Sequence, residues 1–193
     1  LTSFTKLART LHEIAPTAKL HSLNSAGILT LPEFAGDIVR PGLMLYGSSP
    51  IPIFSAALRP ALAWKARIVL LKDLPAGAGV SYGRTFISST PIRTAVIPVG
   101  YADGYPRQAS GHGCGILIHG KKCDIIGRIT MDQIVVNITD VPDIKLGDVV
   151  TLIGNDGNMS IDAQELADKS GTIAWDILTG IGRRVERFYS EAP

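Results

Sequence analysis

The chain has 193 residues, 46% of them hydrophobic and 19% charged, with a formal net charge of +2. That composition supports a packed core and excludes a disordered chain, while the scattered basic residues leave no electrostatic footprint for a nucleic-acid partner. The apolar runs fall short of the roughly 18 to 20 residues a membrane span needs, and no basic-then-apolar leader opens the chain, so neither a membrane partner nor secretion is expected.

Phe4, Leu7, Ala8, Leu11, Ile14 and Ala15 recur at helical spacing. This predicts a helix over residues 3–15, with Thr2 or Ser3 as cap and Pro16 as stop. Opening on Leu1 rather than Met, it reads as an interior helix of a longer protein. A strand is expected over residues 19–23, a helical turn from Ser25, and a strand within residues 37–47. Helix and strand alternating in this way read as the tail of a parallel α/β architecture. Two strands cannot bury both faces of a parallel sheet, so the segment requires more strands upstream.

From about Pro60 the pattern changes. Trp64, Ala66, Ile68 and Leu70 alternate along one expected strand, as do Ile134, Val136 and Ile138. Residues 92–98, 115–118, 123–126 and 148–153 read as further strands, divided by turn residues such as Asp103 with Gly104 and Gly120 with Lys121. The fold class is therefore a mainly β C-terminal domain, a small antiparallel barrel or sandwich with two short helices, preceded by the last βα elements of a parallel α/β architecture. The first short helix has Ser160 or Asp162 as cap, Ala163, Leu166 and Ala167 as apolar face, and Gly171 as stop. The second carries Ile173, Ile177, Leu178 and Ile181, and a last strand is expected over residues 184–189. Cys114 and Cys123 flank the hairpin turn near Gly120 in a register that does not place them opposite each other, so reduced thiols in a cytoplasmic protein are expected. No metal site is expected.

Five segments carry candidate chemistry. In His21-Ser-Leu-Asn24-Ser25-Ala-Gly27 a strand gives way to a helix start, a junction that either binds an anion or is simply capped by Asn24 or Ser25. In Asp37-Ile-Val-Arg40-Pro41-Gly42-Leu43, a guanidinium within an apolar strand needs a fixed partner, either a ligand or a structural ion pair with Asp37. Gly79-Val-Ser81-Tyr82-Gly83 places a phenol between glycines, as an acid or base or only as a packing group. Gly100-Tyr101-Ala-Asp103-Gly104-Tyr105-Pro-Arg107 and Gly127-Arg128-Ile-Thr130-Met131-Asp132-Gln133 are turns with exposed aromatic and charged residues.

Taken in order, His21-x-x-Asn24-Ser25, Val39-Arg40-Pro41-Gly42 with Leu45-Tyr46-Gly47, Val80-Ser81-Tyr82-Gly83, Gly100-Tyr101-Ala102-Asp103-Gly104 and Met131-Asp132-Gln133 resemble the alanine racemase family across nearly the whole chain. The resemblance implies a fold in which an N-terminal α/β barrel holds pyridoxal 5'-phosphate and a C-terminal β domain follows, with residues 1–58 as the last βα elements of that barrel and residues 59–193 as the β domain. It implies a cytoplasmic homodimer whose head-to-tail subunits share each active site, acting on a small amino acid. Tyr82 then matches the catalytic tyrosine, one of two bases at the substrate Cα. Arg40 matches the arginine facing the pyridine nitrogen, with His21 behind it. Asn24, Ser25, Gly42 and Leu43 match the cofactor-binding segment, Met131 and Asp132 match residues near the substrate carboxylate, and Tyr101, Arg107 and Arg128 match the substrate access corridor. The sequence departs from the family in two ways. No lysine lies in the family's cofactor-lysine motif, so the chain alone is expected to be inactive. Trp175 stands where a phosphate-binding tyrosine is usual. The alternatives are a non-catalytic β-barrel binding or dimerisation module, and a racemase of serine or a broader set of amino acids.

Overall fold

The first helix, α1 (Thr2–Ile14), forms where the 3.6-residue spacing requires it, and Thr2 and Ser3 are already part of it. Its apolar stripe stays uncovered, with Leu7 57% and Ile14 77% exposed. The computed structural model describes residues 2–190, which fall into two units, Leu1–Ala61 and Leu62–Pro193.

In the first unit, β1 (His21–Asn24), α2 (Ser25–Thr30) and β2 (Ile38–Arg40) form a βαβ unit whose strands pair in parallel, His21 opposite Ile38 and Asn24 opposite Arg40. The register slips between Ser22 and Asn24, where Leu23 takes a positive φ of 52°. The strand expected within residues 37–47 ends at Arg40. Pro41 has no N–H to donate, and the chain then turns into a 3-10 helix over Leu43–Tyr46.

The second unit is built from antiparallel strands. β4 (Leu70–Leu74), β7 (Ile92–Ile97) and β10 (Ile134–Asn137) form one sheet with β7 in the centre. A larger sheet joins β3 (Trp64–Arg67), β8 (Gly115–Ile118), β9 (Lys121–Asp124), β11 (Val149–Asp156) and β12 (Met159–Ile161). β5 (Gly79–Val80) and β6 (Phe86–Ile87) make a short separate hairpin. Ile97, Ile116, Leu117, Ile134, Val136 and Leu152 are fully buried and form much of the core. Two helices complete the unit: α3 (Ala163–Ser170), capped by Asp162 and ended by Gly171 at φ 69°, and α4 (Ala174–Gly180). Ser160, the other cap candidate, lies in β12.

Two expected strands are corrected. The single strand over Trp64, Ala66, Ile68 and Leu70 is two, because β3 pairs with β11 whereas β4 pairs with β7. The chain changes sheets at buried Ile68, and Leu70 is half exposed. Residues 184–189 do not join a sheet. Their polar contacts run instead through guanidinium groups, Arg187 donating to the carbonyls of Ile181, Gly182 and Val185. Phe188 and Tyr189 remain exposed.

The β8–β9 turn is a two-residue hairpin with His119 at φ 51° and Gly120 at φ 72°, the left-handed pair that suits the twist of the strands. Cys123 lies opposite Ile116, so the cysteines do not face each other, and both are free and buried. Burial pushes the Cys123 thiol up to about 11, with Asp124 adding to the effect.

Candidate functional site

In the first unit, the βαβ topology sets β1 and β2 side by side in parallel, so that His21 at the start of β1 meets Arg40 diagonally across the pair. Nη1 of Arg40 lies 2.9 Å from Nδ1 of His21. A guanidinium can only donate, so Nδ1 accepts and a neutral His21 carries its hydrogen on Nε2. Asp37, the other candidate partner for Arg40, instead accepts from the Leu20 N–H at 2.8 Å. Asn24 serves as helix cap, accepting from Gly27 N–H at 3.1 Å. Ser25 is buried, and its hydroxyl accepts from Met44 N–H at 3.3 Å. That bond ties the start of α2 to the turn after β2 and leaves the hydroxyl hydrogen available. The N–H groups of Gly42 and Leu43 have no partner among the described residues, and a Cβ on Gly42 would meet nothing within 4 Å. Two free amides and a hydroxyl hydrogen beside open space are donors suited to an anion.

In the second unit, Tyr82 sits on the loop that joins β5 and β6 and is 74% exposed. An exposed ring on a loop is ordinarily loose, but this backbone is constrained. Ser81 has φ 61° and ψ −174°, Gly83 has φ 71° and Arg84 has φ 46°. A non-glycine residue at such angles costs about 1 to 3 kcal/mol and persists only where its surroundings hold it. Here Ser81 Oγ donates to the Arg128 carbonyl at 2.6 Å. Gly127 lies against the same segment, where a Cβ would come within 2.7 Å of the Val80 carbonyl. On Gly83, a Cβ would lie 3.6 Å from the Arg128 guanidinium carbon. The fold therefore sets the backbone on both sides of Tyr82 against Arg128.

Met131 and Asp132 form the tip of a tight turn closed by Thr130 and Gln133, whose backbones and the Thr130 hydroxyl exchange three hydrogen bonds of 3.0 to 3.1 Å. The turn is fastened to the Tyr101 loop. Tyr101 N–H donates to Thr130 at 3.1 Å and Ala102 N–H to Met131 at 3.0 Å. Gly100 permits this approach, since a Cβ there would stand 2.3 Å from both carbonyl oxygens. Asp103 is buried and accepts from Gly100 N–H at 2.9 Å. Arg184 then joins both loops, with Nε 3.1 Å from Asp103 Oδ1 and Nη2 2.7 Å from Asp132 Oδ1.

Arg107 and Arg128 share a cavity of about 260 Å³ with His112, Ser110 and Gln108, and Arg107 also borders one of about 370 Å³ with Tyr101 and Asp176. Trp175 is 41% exposed on α4. The two groups of expected site residues thus lie in different units: His21, Asn24, Ser25, Arg40, Gly42 and Leu43 in the first, and Tyr82, Tyr101, Arg107, Arg128, Met131 and Asp132 in the second. Sequence reasoning passed over Arg184. Its carboxylate partners are far away in the chain, one of them 52 residues distant, so no local spacing pointed to it. Ser81 and Asp103 were read only as parts of motifs. The positive backbone angle at Ser81 has no signal in a serine.

Residues 61–189 match the sequence profile of the Alanine racemase, C-terminal domain, and residues 1–50 that of the Alanine racemase, N-terminal domain. The alanine racemase of Halothermothrix orenii is 47% identical over 171 residues, covering 88% of this chain and 45% of that protein. That of Carboxydothermus hydrogenoformans is 46% identical over 172 residues, again covering 88% of this chain and 46% of that protein. Among solved structures, the alanine racemase from Streptomyces coelicolor A3(2) superposes with a TM-score of 0.91 at 38% identity, covering 99% of this chain and 51% of that one. The alanine racemase from Bacillus anthracis with bound L-Ala-P does so at 0.84 and 35% identity, covering 95% of this chain and 48% of that one. The chain spans about half the length of the relatives it matches. With both domain profiles matched in order, the chain belongs to the alanine racemase family.

Proposed function

We propose that the full-length protein carrying this chain is a cytoplasmic homodimer that interconverts L- and D-alanine, with this chain supplying one catalytic base and part of a pyridoxal phosphate site. The observation that carries this reading is the Tyr82 loop: an exposed phenol held on a strained, braced backbone. Such strain gathers at functional positions, and packing alone does not call for it.

Bound pyridoxal phosphate would supply the electron sink that makes the α-proton of an amino acid removable. The residues present fit that group. Ser25 and the free N–H groups of Gly42 and Leu43 would hold its phosphate. Arg40 would donate to its ring nitrogen. A guanidinium offers donors and no acceptor, so Arg40 would bind the nitrogen by a hydrogen bond without handing it a proton, which would limit the sink and disfavour side reactions such as transamination. His21 fixes the direction of Arg40. Tyr82 would hold or take one proton at the substrate Cα. The second base, on the opposite face, would come from the lysine upstream of this chain, and the two halves of the site would come from different subunits. Met131 and Asp132 would lie at the substrate carboxylate, and Tyr101, Arg107 and Arg128 along its way in.

Tyr82→Phe in the full-length protein tests the assignment. Racemisation should fall by about 10²- to 10⁴-fold, the range for loss of a positioned acid or base. In deuterium oxide the variant should still exchange the α-hydrogen of one enantiomer and lose exchange of the other. Unchanged racemisation would remove Tyr82 from the chemistry.

A further inference from the structure

The Met131–Asp132 turn poses an electrostatic problem for the proposed function. The N–H groups of Met131 and Asp132 have no partner among the described residues, so this tip offers donors to a carboxylate. Asp132 places a second negative charge at the same tip, its side chain 54% exposed. Like charges brought together at a binding site oppose association, so an anionic substrate can use these amides only if the Asp132 charge is neutralised and turned aside.

Arg184 meets both requirements. Its Nη2 binds Asp132 Oδ1 at 2.7 Å, and its Nε reaches Asp103 Oδ1 at 3.1 Å. The second anchor is rigid: Asp103 is buried, its Oδ2 accepts from Gly100 N–H at 2.9 Å, and its own carbonyl accepts from Gly182 N–H at 2.8 Å. The segment bearing Arg184 is fastened next to the loop it serves. Glycine at 104 keeps that contact open, since a Cβ there would lie 2.2 Å from the Gly180 carbonyl. A planar guanidinium can hold two carboxylates at fixed angles, whereas an ammonium on a flexible stem acts as a point charge.

We propose that Arg184 is a positioning residue for substrate binding, bridging Asp103 and Asp132 so that the Met131–Asp132 turn can receive the substrate carboxylate. This rests on the racemase reading, and it assigns a role to a residue outside the motifs that support that reading. Arg184 acts through Asp132 and touches no reacting atom.

The test uses the full-length, cofactor-loaded protein with Arg184→Gln, Arg184→Lys, Asp132→Asn and the double variant Arg184→Gln/Asp132→Asn. Loss of one charge-assisted bond at the tip should raise the alanine KM of Arg184→Gln by about tenfold while kcat changes less than about threefold. Arg184→Lys should fall between. The double variant should recover most of the lost KM, because the charge that Arg184 neutralises is gone, and a purely structural role predicts no such recovery. A second readout is independent of turnover. Amide hydrogen exchange at Tyr101 and Ala102, which tie the two loops, should speed up in Arg184→Gln and Asp132→Asn, while Leu117 in the core stays unchanged. Should Arg184→Gln not fold, Arg184→Lys and Asp132→Asn still carry the test. An unchanged KM in Arg184→Gln, or a double variant no better than the single one, overturns the proposal. So does unchanged exchange at Tyr101 and Ala102. An inactive wild-type protein with the exchange pattern intact would overturn the racemase reading and leave the bridge standing.

Discussion

Arg40 donates to Nδ1 of His21 across 2.9 Å, a diagonal side-chain bond from the last residue of β2 to the first residue of the parallel strand β1. Both residues are exposed, so the bond orients Arg40 and adds little to stability. His21→Ala in the full-length protein should lower racemase kcat by roughly tenfold through a loosened Arg40, while stability stays within about 0.5 kcal/mol. Turnover and a thermal melt read the two effects separately. A variant with full activity would mean that Arg40 needs no support.

Ser81 bears the backbone strain next to Tyr82 and repays it with one hydrogen bond to Arg128. Ser81→Ala keeps the strained angle and loses that bond, worth about 1 kcal/mol. Racemase kcat should drop about fivefold to tenfold, since a base displaced from its position loses rate before binding suffers. Steady-state kinetics on alanine check this, with KM expected to stay within about twofold.

Gly104 has φ 103°, and a side chain there would strike the Gly180 carbonyl. Gly104→Ala should therefore destabilise the protein by about 2 kcal/mol or more, combining an unfavourable backbone angle with a backbone clash. Denaturant unfolding measures it.

Tyr105 is 1% exposed, tilted against Trp64, and its hydroxyl finds no hydrogen-bond partner among the described residues. Burial pushes this phenol above its ordinary range, with Cys114 and Glu165 adding to the effect, so it stays neutral. An unpaired buried hydroxyl costs about 1 to 3 kcal/mol, so Tyr105→Phe should leave the melting temperature unchanged or raise it. A fall by several degrees would reveal a partner for the hydroxyl.

Glu165 accepts hydrogen bonds from Lys122 and Lys169 through one oxygen. Burial would push its carboxyl up, but the two lysines outweigh that and hold it below the ordinary glutamate value. A depressed folded-state value means that the unfolded chain takes up the proton first as pH falls. The stabilisation is therefore complete above the ordinary value and disappears as pH drops through the lower folded one. Glu165→Gln should be less stable than the parent at neutral pH, and the gap should close in acid below about pH 4. Melts across pH 3 to 7 would show a constant gap if the lysines contributed nothing.

Local pattern by itself determined the helix α1, the strands β7, β8 and β10, the stop at Gly171 and the turn at Gly120, and it narrowed the α3 cap to Ser160 or Asp162. Each of these is decided by residues within a few positions of one another. The motifs also marked Tyr82, Arg40 and the Met131–Asp132 turn as the places where chemistry would sit. Only the tertiary structure decided the rest. Ile68 marks a change of sheet because β3 and β4 find different partners, and the last strand gives way to arginine-to-carbonyl bonds. Arg184 gains its role from two carboxylates brought to it by the fold. Neighbour rules reach one turn of helix or one hairpin, whereas strand pairing and charge neutralisation depend on which distant segments packing brings together.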